Sequence, residues 1–267
     1  MLHYQNNKLT VFQSALYQTT SAVIESEEAL IVTDPTWLPH EIEEIKQHIN
    51  KRIGSRQLYI IYTHSDFDHI IGAGSFPDAK VIATEAFQTN SKKQEILREI
   101  HNFDQEYYLM RNYEPKYPSV DRVIREDREK LVLSDMTLMF YKAPGHTADG
   151  LFTVVEPLGV FLSGDYFSDV EFPFITSSYK DYVTTVDKAG WIMDHKDIRI
   201  HVPGHGSVSD EREELLERIA FSADYLKRLA EKDTTLETAL KEKFRFFEGM
   251  KSSHQVNREM AKKELET

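Results

Sequence analysis

The chain has 267 residues, 40% of them hydrophobic and none of them cysteine, with 32 Lys and Arg against 44 Asp and Glu for a formal charge of −12. That length and apolar content suffice for one large core, or for a domain with an appended helical part. The lack of Cys excludes disulfides and thiolate metal sites. The acidic balance argues against general binding of a nucleic-acid backbone, although bound divalent cations can reverse the field locally for a small anion.

No run approaches the roughly 18 apolar residues of a membrane span, and Met1–Lys8 lacks the apolar core of a signal peptide. The expectation is a soluble, cytoplasmic protein with neither membrane nor nucleic-acid partners. Leu9–Tyr17 and Ser21–Val32 alternate and are rich in β-branched and aromatic residues, with 18–20 as a turn between them. A third strand-like run, Ala29–Thr33, is stopped by Asp34-Pro35. Pro39–Ile53 carries Ile42, Ile45 and Ile49 at helical spacing and ends at Gly54.

Leu58–Tyr62 reads as a buried strand, and it runs directly into Thr63–Gly74. That stretch places four potential metal ligands, His64, Asp66, Asp68 and His69, within six residues. In an extended segment His64 and Asp66 share a face. Asp68 and His69 are adjacent and must diverge, so one turn can serve two ions. A helix cap accounts for one Asp before Ile70-Ile71, but not for two His and two Asp together.

Ala79–Thr84 is a short strand, Glu85–Arg111 a helical insertion, and Asn112–Ser119 a loop whose Tyr113 and Tyr117 either line a pocket or pack. Lys130–Leu133 and Met136–Lys142 form a hairpin that feeds Pro144-Gly-His146. Leu151–Val155 and Val160–Leu162 form another, feeding Gly164-Asp165. Lys180–Asp194 is helical, and the strand Ile198–Val202 leads into Pro203-Gly-His205. From Asp210 the chain is helical and charged, with an apolar stripe of Leu215, Leu216, Ile219, Tyr225, Leu226 and Leu229, then a second helix over Glu237–Phe247.

One rule recurs: an apolar strand ends, and a turn then presents His or Asp. It holds at His64–His69, His146, Asp165 and His205, and a Pro-Gly pair aims the following side chain outward at two of them. Of the other histidines, only His201 sits close to a ligand on a feeding strand.

With these residues in order, the sequence resembles the metallo-β-lactamase superfamily of metal-dependent hydrolases, over roughly residues 9–210. The resemblance implies an α/β fold, a four-layer αββα sandwich of two mixed β-sheets with outer helices. Residues 1–210 would form the catalytic domain and 211–267 a C-terminal helical extension packed on it. His64, Asp66 and His146 would hold one metal, Asp68, His69 and His205 the second, and Asp165 would bridge them. Asp34 lies where the family has a structural Asp that supports the ligand loop. The departure is Asp66, where the usual motif has His. A carboxylate is harder than an imidazole, so Zn²⁺ is expected at the two sites with Fe²⁺ or Mn²⁺ favoured more than usual.

The implied function is a hydrolase that uses a dinuclear-metal-bound hydroxide to cleave a small ester, lactone, thioester or phosphodiester. Asp68 would orient the nucleophile, and Tyr166 and Tyr179 would contact substrate. The alternative is a flavodiiron-like di-iron oxidoreductase that reduces oxygen or nitric oxide, since that branch also carries a carboxylate at the position of Asp66. The C-terminal helices would cover the site or form a homodimer interface.

Overall fold

The computed structural model describes residues 1–266; residue 267, the last of the expected C-terminal extension, lies outside them. The first half of the chain builds a mixed sheet of seven strands in sequence order. These are β1 (Leu2–Gln5), β2 (Leu9–Gln13), β3 (Thr20–Glu25), β4 (Ala29–Thr33), β5 (Gln57–Ile61), β6 (Lys80–Thr84) and β7 (Arg122–Ile124). Pairing is antiparallel from β1 to β4 and parallel from β4 to β7. The second sheet has five strands in the order β12-β11-β10-β9-β8. They span β8 (Glu129–Val132), β9 (Thr137–Lys142), β10 (Leu151–Glu156), β11 (Val160–Gly164) and β12 (Ile200–Pro203), and only β11 and β12 run parallel.

Alternation along each strand sorts side chains into layers. Leu9, Val11, Ala22, Ile24 and Ile31 of the first sheet meet Leu138, Phe140, Leu151, Val155 and Leu162 of the second in an inner core. The opposite faces are apolar too, because helices cover both. Val23, Leu30 and Val32 pack under α1 (Pro39–Asn50) and α4 (Lys93–Glu106). Met139, Tyr141, Phe152 and Phe161 pack under α5 (Tyr179–His195), α6 (Arg212–Ala230), α7 (Leu236–Lys243) and α8 (Phe247–Leu265). This is the four-layer αββα sandwich, in which fully burying each such Leu, Ile or Phe is worth about 1.5–3 kcal/mol.

Several elements differ from the sequence reading. Ser21–Val32 divides at a hairpin where the Ser26 amide donates to the Ala29 carbonyl. Glu85–Arg111 divides into α3 (Glu85–Thr89) and α4, because α3 is capped by the Thr84 hydroxyl and ends at Asn90. β1 and β7 are additional, and the stretch read as helical from Asp210 onward divides into three helices, the last of them α8. Among the described residues, no helix is long and apolar enough to cross a membrane.

Strand direction decides where the ligand turns go. The C-terminal ends of β5, β9, β11 and β12 all lead into them. The parallel register pairs Gly164 with Pro203, so Asp165 emerges beside Gly204-His205. Backbone bonds tie the two sheets together there: Leu151 N to Thr63 O at 2.7 Å, and Thr20 N to Gly204 O at 2.7 Å.

Candidate metal centre

The turn after β5 leads into a single helical turn, α2 (Phe67–Ile70), with Asp66 at its N-cap. The Asp66 side chain makes no capping bond. Its carboxylate goes instead to His146 Nε2 at 3.3 Å and His64 Nε2 at 3.7 Å. Asp165 Oδ2 lies 3.5 Å from His64 Nε2, 3.3 Å from His146 Nε2 and 3.2 Å from His205 Nε2. Its Oδ1 is 3.1 Å from His69 Nε2. Asp68 Oδ2 sits 3.5 Å from both His69 Nε2 and His205 Nε2. The structure thus brings all seven sequence-selected side chains to one point, with Asp165 between the two groups.

Each imidazole is held from behind through Nδ1, which leaves the Nε2 lone pair facing the cluster. His69 Nδ1 donates to Asp34 Oδ2 at 3.0 Å, and His146 Nδ1 to the Phe174 carbonyl at 2.8 Å. His205 Nδ1 donates to the Tyr17 carbonyl at 2.9 Å. His64 Nδ1 is 3.0 Å from Thr63 Oγ1, which itself donates to Asp34 Oδ2 at 2.6 Å. Outer acceptors of this kind fix tautomer and ring orientation in metal-binding histidines. Asp34 also takes the Thr63 amide at 2.9 Å, so one buried carboxylate braces the whole first turn.

Four observations fit cations here. The buried His64 Nε2, His146 Nε2 and Asp165 Oδ1 make no well-formed hydrogen bond, only imidazole–carboxylate approaches of 3.1 to 3.7 Å, although buried polar atoms are nearly always paired. His69 Nε2 and His205 Nε2 face each other at 3.3 Å, an arrangement two lone pairs tolerate only with a positive charge between them. The donor sets His64/Asp66/His146 and Asp68/His69/His205 each have the spacing to hold a metal, as does His64/His69/Asp165. Gly204 leaves the room required, since a Cβ there would meet the Asp165 carboxylate and the His69 ring edge.

Protons take over part of that role when no cation is bound. Burial opposes charge on His205, but Asp165 and Glu171 outweigh it and push its pKa up to about 10. His69 and His146 are likewise raised well above the usual range by the surrounding aspartates, against burial. Burial works against an ionised Asp66, yet the His146 hydrogen bond and the His64 charge bring it down to about 2.

The other sequence-selected residues fall into supporting places. Tyr166 is buried, and its hydroxyl accepts from the His146 amide at 2.9 Å and reaches the Pro144 carbonyl at 2.9 Å. Tyr179 is buried against α6, with its hydroxyl donating to the Leu226 carbonyl at 2.9 Å. Both hydroxyls are committed to backbone: Tyr166 braces the His146 turn from beneath, and Tyr179 ties α5 to α6. His201 pairs with Ser163 Oγ at 2.8 Å and is kept neutral by burial. At the surface of the site stand Asp66, whose side chain is 40% exposed, and Tyr17 at 64%.

A family model described as the metallo-β-lactamase superfamily matches residues 15–226. The chain belongs to the metallo-β-lactamase superfamily. Solved structures agree on the fold. A metallo-β-lactamase superfamily protein from the archaeon Sulfolobus tokodaii is 16% identical, with TM-score 0.57, covering 81% of this chain and 86% of that one. A metallo-β-lactamase from Pontibacter korlensis is 13% identical, with TM-score 0.61 and coverages of 85% and 98%. A sec-alkylsulfatase from Pseudomonas sp. reaches TM-score 0.68 at 12% identity, covering 90% of this chain but 44% of that one. No curated protein matches the sequence. Superfamily membership extends past residue 210 into α6, so the family match takes in part of the C-terminal helical region.

Proposed function

We propose that the protein is a dinuclear metal-dependent hydrolase acting on a small, uncharged acyl compound, an ester, lactone or thioester. The observation that carries this reading is the convergence of four outward-braced histidines on three aspartates, with Asp165 shared between the two donor groups. His64, Asp66 and His146 would hold one cation, Asp68, His69 and His205 the other, and Asp165 both. Divalent cations so held supply Lewis acidity, activating water near neutral pH and polarising a carbonyl. Asp68, at the inner edge of the site, keeps a carboxylate oxygen for the proton of the attacking water. Zn²⁺ is the first choice of metal, with Fe²⁺ or Mn²⁺ favoured by the carboxylate at Asp66.

The surroundings favour an uncharged substrate over a phosphodiester. Glu171 lines the same small cavity as Asp165, and Glu99 is influenced by Asp66 and Asp68. Away from the bound cations, which reverse the field at the centre itself, this acidic rim disfavours negative charge on the substrate. Tyr17, exposed and backed by the buried Trp37 with ring centroids 6.1 Å apart, offers an aromatic face beside it. Burial raises the pKa of Glu171, and Asp165 and Asp68 add to this against the opposing His205.

The test is turnover of the metal-loaded protein on a panel of esters, lactones, thioesters and phosphodiesters. Hydrolysis of acyl substrates, abolished by Asp165→Ala, is the expected result. Bound iron with oxygen or nitric-oxide reduction and no hydrolysis would replace this reading with the di-iron one.

A further inference from the structure

We propose that α8 is a working part of the metal centre, with Asn257 acting as a positioning residue for His146. The inference rests on the metal-site reading above. His146 is oriented by one acceptor, the Phe174 carbonyl at 2.8 Å. Phe174 has no bond to α8 of its own, but both of its neighbours do. Asn257 Nδ2 donates to the Pro173 carbonyl at 2.5 Å, and the Ile175 amide donates to Asn257 Oδ1 at 2.8 Å. The side-chain amide thus spans the residue whose carbonyl holds the ligand. The next residue closes the loop back on His146, with the Thr176 amide donating to the His146 carbonyl at 2.9 Å.

The amide cannot be turned over without loss. Only its oxygen can meet the Ile175 N–H, and only its nitrogen can meet the Pro173 carbonyl. The remaining amide hydrogen goes to the Tyr225 hydroxyl at 2.7 Å, which in turn meets His254 Nδ1 at 3.0 Å. Asn257, Tyr225 and His254 are all buried, and burial lowers the His254 pKa, so that ring accepts as a neutral base. A buried network with every member satisfied specifies one geometry. Residues 173–180 thus form a strap between the His146 turn and α5, and a second grip lies at its end, where Glu264 of α8 accepts from the Tyr179 amide at 3.1 Å and the Lys180 amide at 2.9 Å.

Asn257 lies beyond residue 226, outside the stretch matched by the family. Its link to His146 makes the docking of α8 and metal binding reciprocal: whatever favours one favours the other. Replacing Asn257 frees the strap, and His146 then loses its fixed ring orientation. Outer partners of metal ligands carry about 10- to 100-fold in metal affinity, and a group one bond further out belongs at the lower end.

The experiment is a Zn²⁺ competition titration against a chromogenic chelator on the folded full chain, paired with the melting temperature of the metal-free form. Asn257→Ala is compared with Met250→Ala, which opens a cavity under α8 but removes no hydrogen bond to residues 173–176. Both variants are expected to melt lower. Only Asn257→Ala should weaken one of the two Zn²⁺ equivalents, on the order of tenfold, leaving the other unchanged. Should Asn257→Ala fail to fold, Asn257→Asp keeps the acceptor for Ile175 and loses the donors, and weakening of the same equivalent is expected. Wild-type Zn²⁺ affinity in a folded Asn257 variant overturns the inference alone. Absence of Zn²⁺ binding by the wild type removes the metal-site reading, and this inference with it.

Discussion

Asp34→Asn separates the structural from the chemical role of the brace behind the ligand turn. Asp34 has φ of +42°, a region that Asn tolerates well, so the substitution adds no backbone strain. In the wild type, Oδ1 accepts the Thr63 amide, while Oδ2 accepts both the Thr63 hydroxyl and His69 Nδ1–H. An amide NH₂ in place of Oδ2 must donate. The Thr63 hydroxyl can rotate to accept, but His69 can accept at Nδ1 only by moving its proton to Nε2. That places N–H where the lone pair was, aimed at Asp165 Oδ1 3.1 Å away. Loss of two charge-assisted bonds, partly replaced by neutral ones, costs about 1–3 kcal/mol of stability. In a chain of this size that lowers Tm by about 2–4 °C per kcal/mol. The wrong tautomer at His69 is expected to weaken the second metal equivalent about 10- to 100-fold. Differential scanning calorimetry of the metal-free protein and Zn²⁺ competition measure the two effects separately. A lowered Tm with both equivalents bound at wild-type affinity would refute the tautomer argument.

Three further outcomes follow from the same geometry. The raised folded-state pKa of His205, about 10 against an unfolded value near 6.5, means that its contribution to the metal-free protein is full below about pH 6.5. That contribution is lost as pH rises toward 10, so the Tm of the metal-free form should fall across this window while the metal-loaded form does not follow, as melting curves at stepped pH would reveal. Gly204→Ala drives a Cβ into the Asp165 carboxylate and the His69 ring edge. Overpacking of about 1–3 kcal/mol and loss of bound metal, by calorimetry and metal analysis, are expected. Asp66→His exchanges a hard ligand for an imidazole and removes one negative charge, so the Zn²⁺ over Mn²⁺ affinity ratio should rise in a competition titration.

Much of this arrangement was legible because the ligands sit where apolar strands end. The run Leu58–Tyr62 and the two Pro-Gly turns announced both the strand tips and the side chains they present. The layered sandwich came from the family resemblance that those ligand turns carry, and the strands buried on both faces agree with it, since only a covered sheet tolerates them. The parts that escaped have physical reasons. β1 is a four-residue edge strand, mostly exposed, and carries little pattern. β7 is three residues long and gets its place from parallel pairing with β6, a long-range contact. In α8 the buried positions Phe247, Met250, His254, Asn257 and Ala261 keep helical spacing. Two of them are polar, however, so the stripe did not register as hydrophobic. Asn257 is buried because it satisfies a loop 82 residues away in sequence, at Ile175. The braces behind the ligands were equally hidden: the Tyr17 and Phe174 carbonyls are backbone groups, and no side-chain pattern points to them.

The most direct measurement is anomalous diffraction from crystals of the full chain grown with Zn²⁺. Two peaks are expected, one within bonding distance of His64, Asp66 and His146, the other of Asp68, His69 and His205, with Asp165 touching both. A single peak elsewhere on the molecule, or none among these seven side chains, would contradict the dinuclear centre.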